Sequence, residues 1–149
     1  MAVRYFEDFM VGKVFELGSR TVTQDEIIAF AREYDPHSFH VDPQQARQSS
    51  FGGLVASGWH SVCIFMRLAV DGVLKETASL GSPGADEIRW LKPVRPGDTL
   101  SARATIIQAT PSRSKPDRGL VKHHGELRNQ HGEIVMTLIG MGLFRRRPG

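Results

Sequence analysis

One stretch limits the architecture of this chain more than any other. Behind Ser57-Gly58, residues Val62, Phe65, Met66, Ala69 and Val73 recur at i, i+3, i+4, i+7 and i+11, while Ile64 and Leu68 fall on the remaining faces. A helix that is apolar nearly all round has to be enclosed by other structure. What can enclose it lies in the second half, where the apolar period changes from 3.6 to 2. Leu100, Ala102, Ala104 and Ile106 alternate with Ser101, Arg103 and Thr105; Val135, Thr137, Ile139, Met141 and Leu143 alternate with Met136, Leu138, Gly140 and Gly142. The pattern predicts strands at residues 13–21, 86–92, 99–110, 119–128 and 133–145, with turn chemistry at Pro96-Gly97-Asp98 and Asn129-Gln130-His131-Gly132. Short turns between consecutive strands make them antiparallel. The expected fold is therefore α+β, an antiparallel sheet of about five strands wrapped around one central buried helix, with Cys63 as inert core.

The first half reads as helical. Thr23-Gln24-Asp25-Glu26 has the form of a capping box, and Ile27, Ile28, Phe30, Ala31 and Tyr34 follow at helical spacing. Pro36 stops that helix just after Tyr34, because it disfavours helical geometry at Asp35 and offers no amide donor. Asp42-Pro43 opens a second short helix through Ala46, with Asp42 as its cap.

Composition excludes several classes. With 149 residues, 40% of them apolar and 23% charged, the chain is an ordinary single globular domain, residues 1–149, rather than a disordered or fibrous one. No apolar run approaches the ~20 residues of a membrane helix, and the acidic MAVRYFEDFM start does not read as an export signal, so the cytoplasm is the expected compartment. The single Cys63 cannot form an internal disulfide or a paired-cysteine zinc site, and His123 and His124 point to opposite faces of a strand, so no metal is expected. The net charge of +3 comes from Arg145, Arg146 and Arg147 and from a stretch holding Arg113, Lys115, Arg118 and Lys122. The arginine tail reads as a frayed, solvated terminus, and no basic helix face or interleaved aromatics suggest nucleic acid. Exposed edge strands of a small sheet are economically covered by a second copy, so a dimer is expected.

The densest polar cluster is Tyr34-Asp35-Pro36-His37-Ser38-Phe39-His40-Val41-Asp42, read as a loop between helices. Pro36 lets that segment curl, so Asp35 and His40 can meet as a carboxylate–imidazole pair for proton transfer near neutral pH. Downstream, Phe51-Gly52-Gly53 and Ser57-Gly58 lead into the apolar helix, whose first amides are unpaired donors at its electropositive end. Gly58 there leaves a ligand carbonyl free to approach, the arrangement that stabilises an enolate-like oxygen. His60, two residues further, could line a pocket or simply pack.

Taken with Asp35-Pro36-His37-Ser38-Phe39-His40-Val41-Asp42, Phe51-Gly52-Gly53, Ser57-Gly58-Trp59-His60 and the run from Arg89 to Asp98, the chain resembles the MaoC-like acyl dehydratases, which include (R)-specific enoyl-CoA hydratases. Their motif has the form D-x-N-P-L-H-x-D; here His37 and Ser38 stand in place of Asn and Pro, and Tyr34 in place of a preceding Gly. The resemblance spans about Phe6 to Phe144. It implies a hot-dog fold, a homodimer or an assembly of dimers, and a lyase that hydrates trans-2-enoyl-CoA thioesters to (3R)-hydroxyacyl-CoA. It further implies Asp35 and His40 as the catalytic dyad and the Gly58 amide, with Ser57 and Gly53, around the thioester carbonyl. Arg89, Lys92 and Arg95 are the candidates for the coenzyme A phosphates, with no cofactor beyond the thioester carrier itself. Two other readings stay open. A hot-dog thioesterase would use a carboxylate on the central helix, for which Asp71 and Glu76 near its far end are the candidates; a non-catalytic acyl-CoA-binding module would fit the altered motif.

Overall fold

In the computed structural model, which describes residues 2–149, the expected strands are Val14–Thr21 (β1), Ala85–Trp90 (β2), Thr99–Pro111 (β3), Arg118–Arg128 (β4) and Ile134–Arg145 (β5). They form one antiparallel sheet in the order β1-β3-β4-β5-β2, so the two strands separated by the helical region become the two edges. The helices are Gln24–Tyr34 (α1), Ser38–Val41 (α2), Pro43–Arg47 (α3) and Gly58–Gly72 (α4). None of them is long and apolar enough to cross a membrane.

The sheet curls around α4 because its inner face is cut to the helix. On β3, Leu100, Ala102, Ala104 and Ile106 are all buried, as their alternation predicts. On β4 the inward set is Val121, His123, Gly125 and Leu127, paired in register with Gly142, Gly140, Leu138 and Met136 of β5. Gly125 is there for close approach: a Cβ on it would lie 2.6 Å from the Phe65 ring of α4. In β1, Gly18 adopts φ +95° where the pairing with β3 slips by a residue, a bulge that a side chain would strain.

α4 is less enclosed than its sequence suggests. His60, Ser61, Ile64, Phe65, Leu68 and Ala69 are buried, but Trp59, Cys63, Met66 and Val70 are exposed on the outward side. Cys63 is thus a surface thiol rather than core. The sheet covers one side of the helix only, and between α4 and strands β2 and β5 an apolar cavity of about 530 Å³ remains, lined by Val62, Met66, Ile88, Leu138 and Met141 among others. The polar cluster after α1 also departs from expectation, because Ser38–Val41 closes a helical turn instead of running as a loop. Nor is the arginine tail frayed. Arg146 and Arg147 bind the Glu7 carboxylate, and Arg147 also reaches Asp8 at 2.6 Å, tying the C-terminal segment to the N-terminal one.

Two histidines are packed within this frame. The His60 ring stacks on Phe30 with centroids 4.7 Å apart, and its Nδ1 has no partner among the described residues. His123 stacks on Phe65. Burial holds both imidazoles below the ordinary value of 6.5; Glu26 opposes and Arg20 adds to this at His60, and His124 adds to it at His123. The unfolded chain therefore takes up protons near 6.5 that the folded chain refuses, so stability should decline as pH falls below that value and recover above it. Urea unfolding followed by circular dichroism from about pH 5 to about pH 8 checks this. The double variant His60→Leu, His123→Leu should show a flatter slope, and an unchanged slope would assign the effect to other groups.

Candidate active site

The site is assembled where α1 ends and α4 begins. α1 is capped by Thr23, whose hydroxyl accepts from the Glu26 amide at 3.2 Å; the Glu26 carboxylate turns to Arg20 instead of completing the box. The helix stops at Tyr34, and Pro36 sends the chain into an extended link before α2 closes. That link and single turn put Asp35 and His40 side by side, with Asp35 Oδ2 3.4 Å from His40 Nε2. Asp42 then caps α3 through the Gln44 and Gln45 amides, with Pro43 in its first turn.

His40 is held from behind. Its Nδ1 lies 2.6 Å from the Val55 carbonyl oxygen, while the Val55 amide donates to the Phe39 carbonyl at 3.1 Å, so two bonds join α2 to the segment entering α4. A carbonyl can only accept, so Nδ1 carries a proton and Nε2 is the nitrogen turned toward Asp35.

Asp35 is held from two sides. The Ser57 hydroxyl donates to Oδ2 at 2.7 Å, and His37 Nδ1 donates to Oδ1 at 2.5 Å. Burial alone would raise the Asp35 carboxyl. The hydrogen bonds from Ser57 and His37, with the neighbouring His40 and His37 charges, outweigh it and keep the group below the ordinary carboxylate value. The carboxylate is thus ionised at neutral pH.

These groups open on a cleft of about 460 Å³, whose walls include Asp35, His40, Gly58, Trp59, Trp90 and Lys92. Gly58 is the first residue of α4, and among the described residues nothing takes its amide proton. The space left by its missing side chain is filled by protein: a Cβ would lie 2.4 Å from the Trp90 ring, and Trp90 Nε1 donates to the Gly58 carbonyl at 2.9 Å. Ser57 is fully buried and caps α4 by accepting from the Trp59 amide at 3.3 Å, so it stands behind Asp35 rather than in the cleft wall.

The remaining candidates are dispersed. Gly53 lies against the Arg95 guanidinium, away from the cleft lining, and Arg95 donates to the Phe51 carbonyl at 2.6 Å. Arg89 pairs with Glu87 at 2.9 Å on the exposed edge of β2. Lys92 alone of the three reaches the cleft, where it pairs with Glu133. Asp71 is taken by Arg67 at 2.7 Å, and neither it nor Glu76 lines the cleft, so α4 brings no carboxylate to the site. The sequence reading missed the Val55 carbonyl, which any residue could supply, and Trp90. It named His37 only as a departure from a motif, although an imidazole two residues from a carboxylate is a visible signal.

Comparison with known proteins places the chain among the MaoC-like hot-dog proteins. A family model described as "MaoC like domain" matches residues 8–124, and the chain belongs to that family. It is 32% identical to mesaconyl-CoA hydratase of Cereibacter sphaeroides over 152 aligned positions, spanning 98% of this chain and 42% of that protein. It is 27% identical to the (R)-specific enoyl-CoA hydratase of Rhodospirillum rubrum, over 76% of each chain. Among solved structures, a MaoC-like dehydratase from Rhodospirillum rubrum superposes with a TM-score of 0.89 at 41% identity, covering 98% of this chain and 99% of that one. A Mycobacterium tuberculosis protein with a double hot-dog fold superposes at 0.82 with 15% identity over 98% of this chain and 45% of its own, a likeness of fold.

The Gly58–Trp90 contact yields a direct test. Gly58→Ala should displace the Trp90 indole, with an altered intrinsic fluorescence and a loss of about 1–3 kcal/mol in urea unfolding from overpacking. A variant with the parent's emission and stability would mean that the ring is not wedged against the helix start.

Proposed function

We propose that this protein reversibly adds water across the double bond of a trans-2-enoyl-CoA thioester to give the (3R)-hydroxyacyl-CoA, with Asp35 and His40 as its proton-transfer dyad. The observation that carries the reading is the 3.4 Å gap between Asp35 Oδ2 and His40 Nε2. An ionised carboxylate and an imidazole whose proton sits on Nδ1 both accept at these atoms, so they cannot satisfy one another. A water molecule can: it donates one hydrogen to each and turns an oxygen lone pair outward.

As that oxygen bonds to the β-carbon, one O–H bond breaks and its proton passes to the dyad. The electron pair of the double bond moves toward the thioester carbonyl, and the dyad returns a proton to the α-carbon, so water is added with no net change in the protein. The unpaired Gly58 amide at the electropositive end of α4 is suited to the oxygen that becomes enolate-like. Lys92 at the cleft rim is suited to a phosphate of the carrier in exchange for Glu133. The apolar cavity has Val62, one helical turn along α4 from Gly58, and Ile88, two residues before Trp90, in its wall, and its lining suits the acyl chain.

The same reading takes the protein as a homodimer acting without a further cofactor. Supporting the dimer, β1 and β2 each have one unpaired edge, and the outer side of α4 exposes Trp59, Met66 and Val70. Light scattering on the eluting protein should give twice the chain mass; a monomer would remove this part of the reading.

The catalytic test uses crotonyl-CoA. The parent protein should consume the enoyl absorbance, and Asp35→Asn or His40→Ala should each lower kcat by ~10²–10⁴-fold, the usual contribution of a positioned acid–base group. Thiol release from acyl-CoA would instead mean hydrolysis. Tight acyl-CoA binding by a protein that never turns over would mean a binding module.

A further inference from the structure

His37 stands where the motif that this chain resembles carries asparagine, and it adds a second imidazole to the dyad. One ligating atom from each of Asp35, His37 and His40 can be chosen so that all three lie within 4.8 Å of one another. The spacing already fits a metal on one edge. Ligands of a tetrahedral zinc ion, with bonds of about 2.0–2.1 Å, are separated by about 3.3 Å, and Asp35 Oδ2 and His40 Nε2 are 3.4 Å apart. His37 Nδ1 lies 2.5 Å from the other carboxylate oxygen, Oδ1, so binding a cation requires its ring to turn from that hydrogen bond toward the ion. It is free to do so because its side chain is 66% exposed, while stacking on Phe39 at 8° keeps the ring over the site.

The supporting bonds have the form found around metal ligands. The Nδ1 proton of His40 goes to the Val55 carbonyl at 2.6 Å, which aims Nε2, and the Ser57 hydroxyl steadies the carboxylate at 2.7 Å. Two imidazoles and one carboxylate favour zinc and its first-row neighbours over magnesium or calcium, and leave a fourth position open toward the cleft.

We propose that Asp35, His37 and His40 form a reversible binding site for a divalent transition cation of the zinc class. On binding, the His37 ring moves its proton from Nδ1 to the solvent-facing Nε2, and Nδ1 becomes a ligand. The cation takes the same lone pairs of Asp35 and His40 that accept the protons of the attacking water. Occupancy therefore switches the cleft off as a hydratase, a consequence that rests on the reading given above, whereas the site itself does not.

The experiment uses full-length, tag-free protein stripped with chelator and titrated with Co²⁺ or Zn²⁺ alone. Co²⁺ should develop the visible bands of a four-coordinate site, saturating at one cation per chain, and Zn²⁺ should abolish them. His37→Asn and His37→Ala, checked for folding by circular dichroism, should weaken binding in calorimetry at least tenfold. In the crotonyl-CoA assay Zn²⁺ should inhibit the parent protein, chelator should reverse it, and the inhibition constant should rise in the His37 variants in step with the binding constant. Absence of saturable binding, or equal binding by parent and His37 variants, overturns the site. Binding as described in a protein without hydratase activity upholds the site and overturns the functional reading instead. Zinc-insensitive hydration by a zinc-loaded protein overturns the switch.

Discussion

The hydrogen bond from Ser57 to Asp35 is the contact on which the rest of the site depends. Ser57 is fully buried at the start of α4, and its one hydroxyl both accepts from the Trp59 amide and donates to Oδ2 of Asp35. That single oxygen ties the end of one helix to the beginning of another across 22 positions of sequence. The two helix termini supply different things. The end of α1 brings a carboxylate forced out of helical geometry by Pro36, and the start of α4 brings the Gly58 amide, which has no partner among the described residues. Join them, and an anion sits beside an electropositive helix end, which favours its charged form.

The second tie is of another kind. Val55 joins the strand-like run before α4 to α2 twice, its carbonyl bonded to the His40 side chain and its amide to the Phe39 carbonyl. The Ala56 amide continues the run to the Val94 carbonyl at 2.8 Å, beyond β2. Site and sheet are thereby one mechanical unit, and His40 keeps both its tautomer and its orientation without any acidic residue behind it.

Why much of this was legible in the sequence, and some not, follows from what each signal encodes. Periodicity records which side of an element is covered, so the five strands, the apolar helix and the capping by Thr23 and Asp42 were readable within a residue or two. Proline and glycine record local dihedral limits, so the break at Pro36 was readable as well. Partners across space leave no such trace. The Val55 carbonyl could belong to any residue, and the exposure of Cys63 and Met66 depends on how far the sheet reaches around α4, which the alternation of its strands does not state. Gly58 shows the same limit from another side: its lack of a side chain was readable, while the occupant of the vacated space, Trp90, lies 32 residues away.

His37 shows how a substitution in a motif can keep chemistry while changing its surroundings. Asp35 has two oxygens, and the structure divides them. Oδ1 is given to His37, and Oδ2 faces Ser57, His40 and the cleft. An asparagine amide could donate to Oδ1 just as an imidazole does, so replacing one by the other leaves the orientation of Oδ2 intact. What changes is the coordination chemistry on the far side of the carboxylate. An amide binds transition cations poorly, whereas an imidazole is a common ligand for them. The replacement is thus compatible with the same inward-facing Oδ2 and places an exposed imidazole on the outward side of the carboxylate.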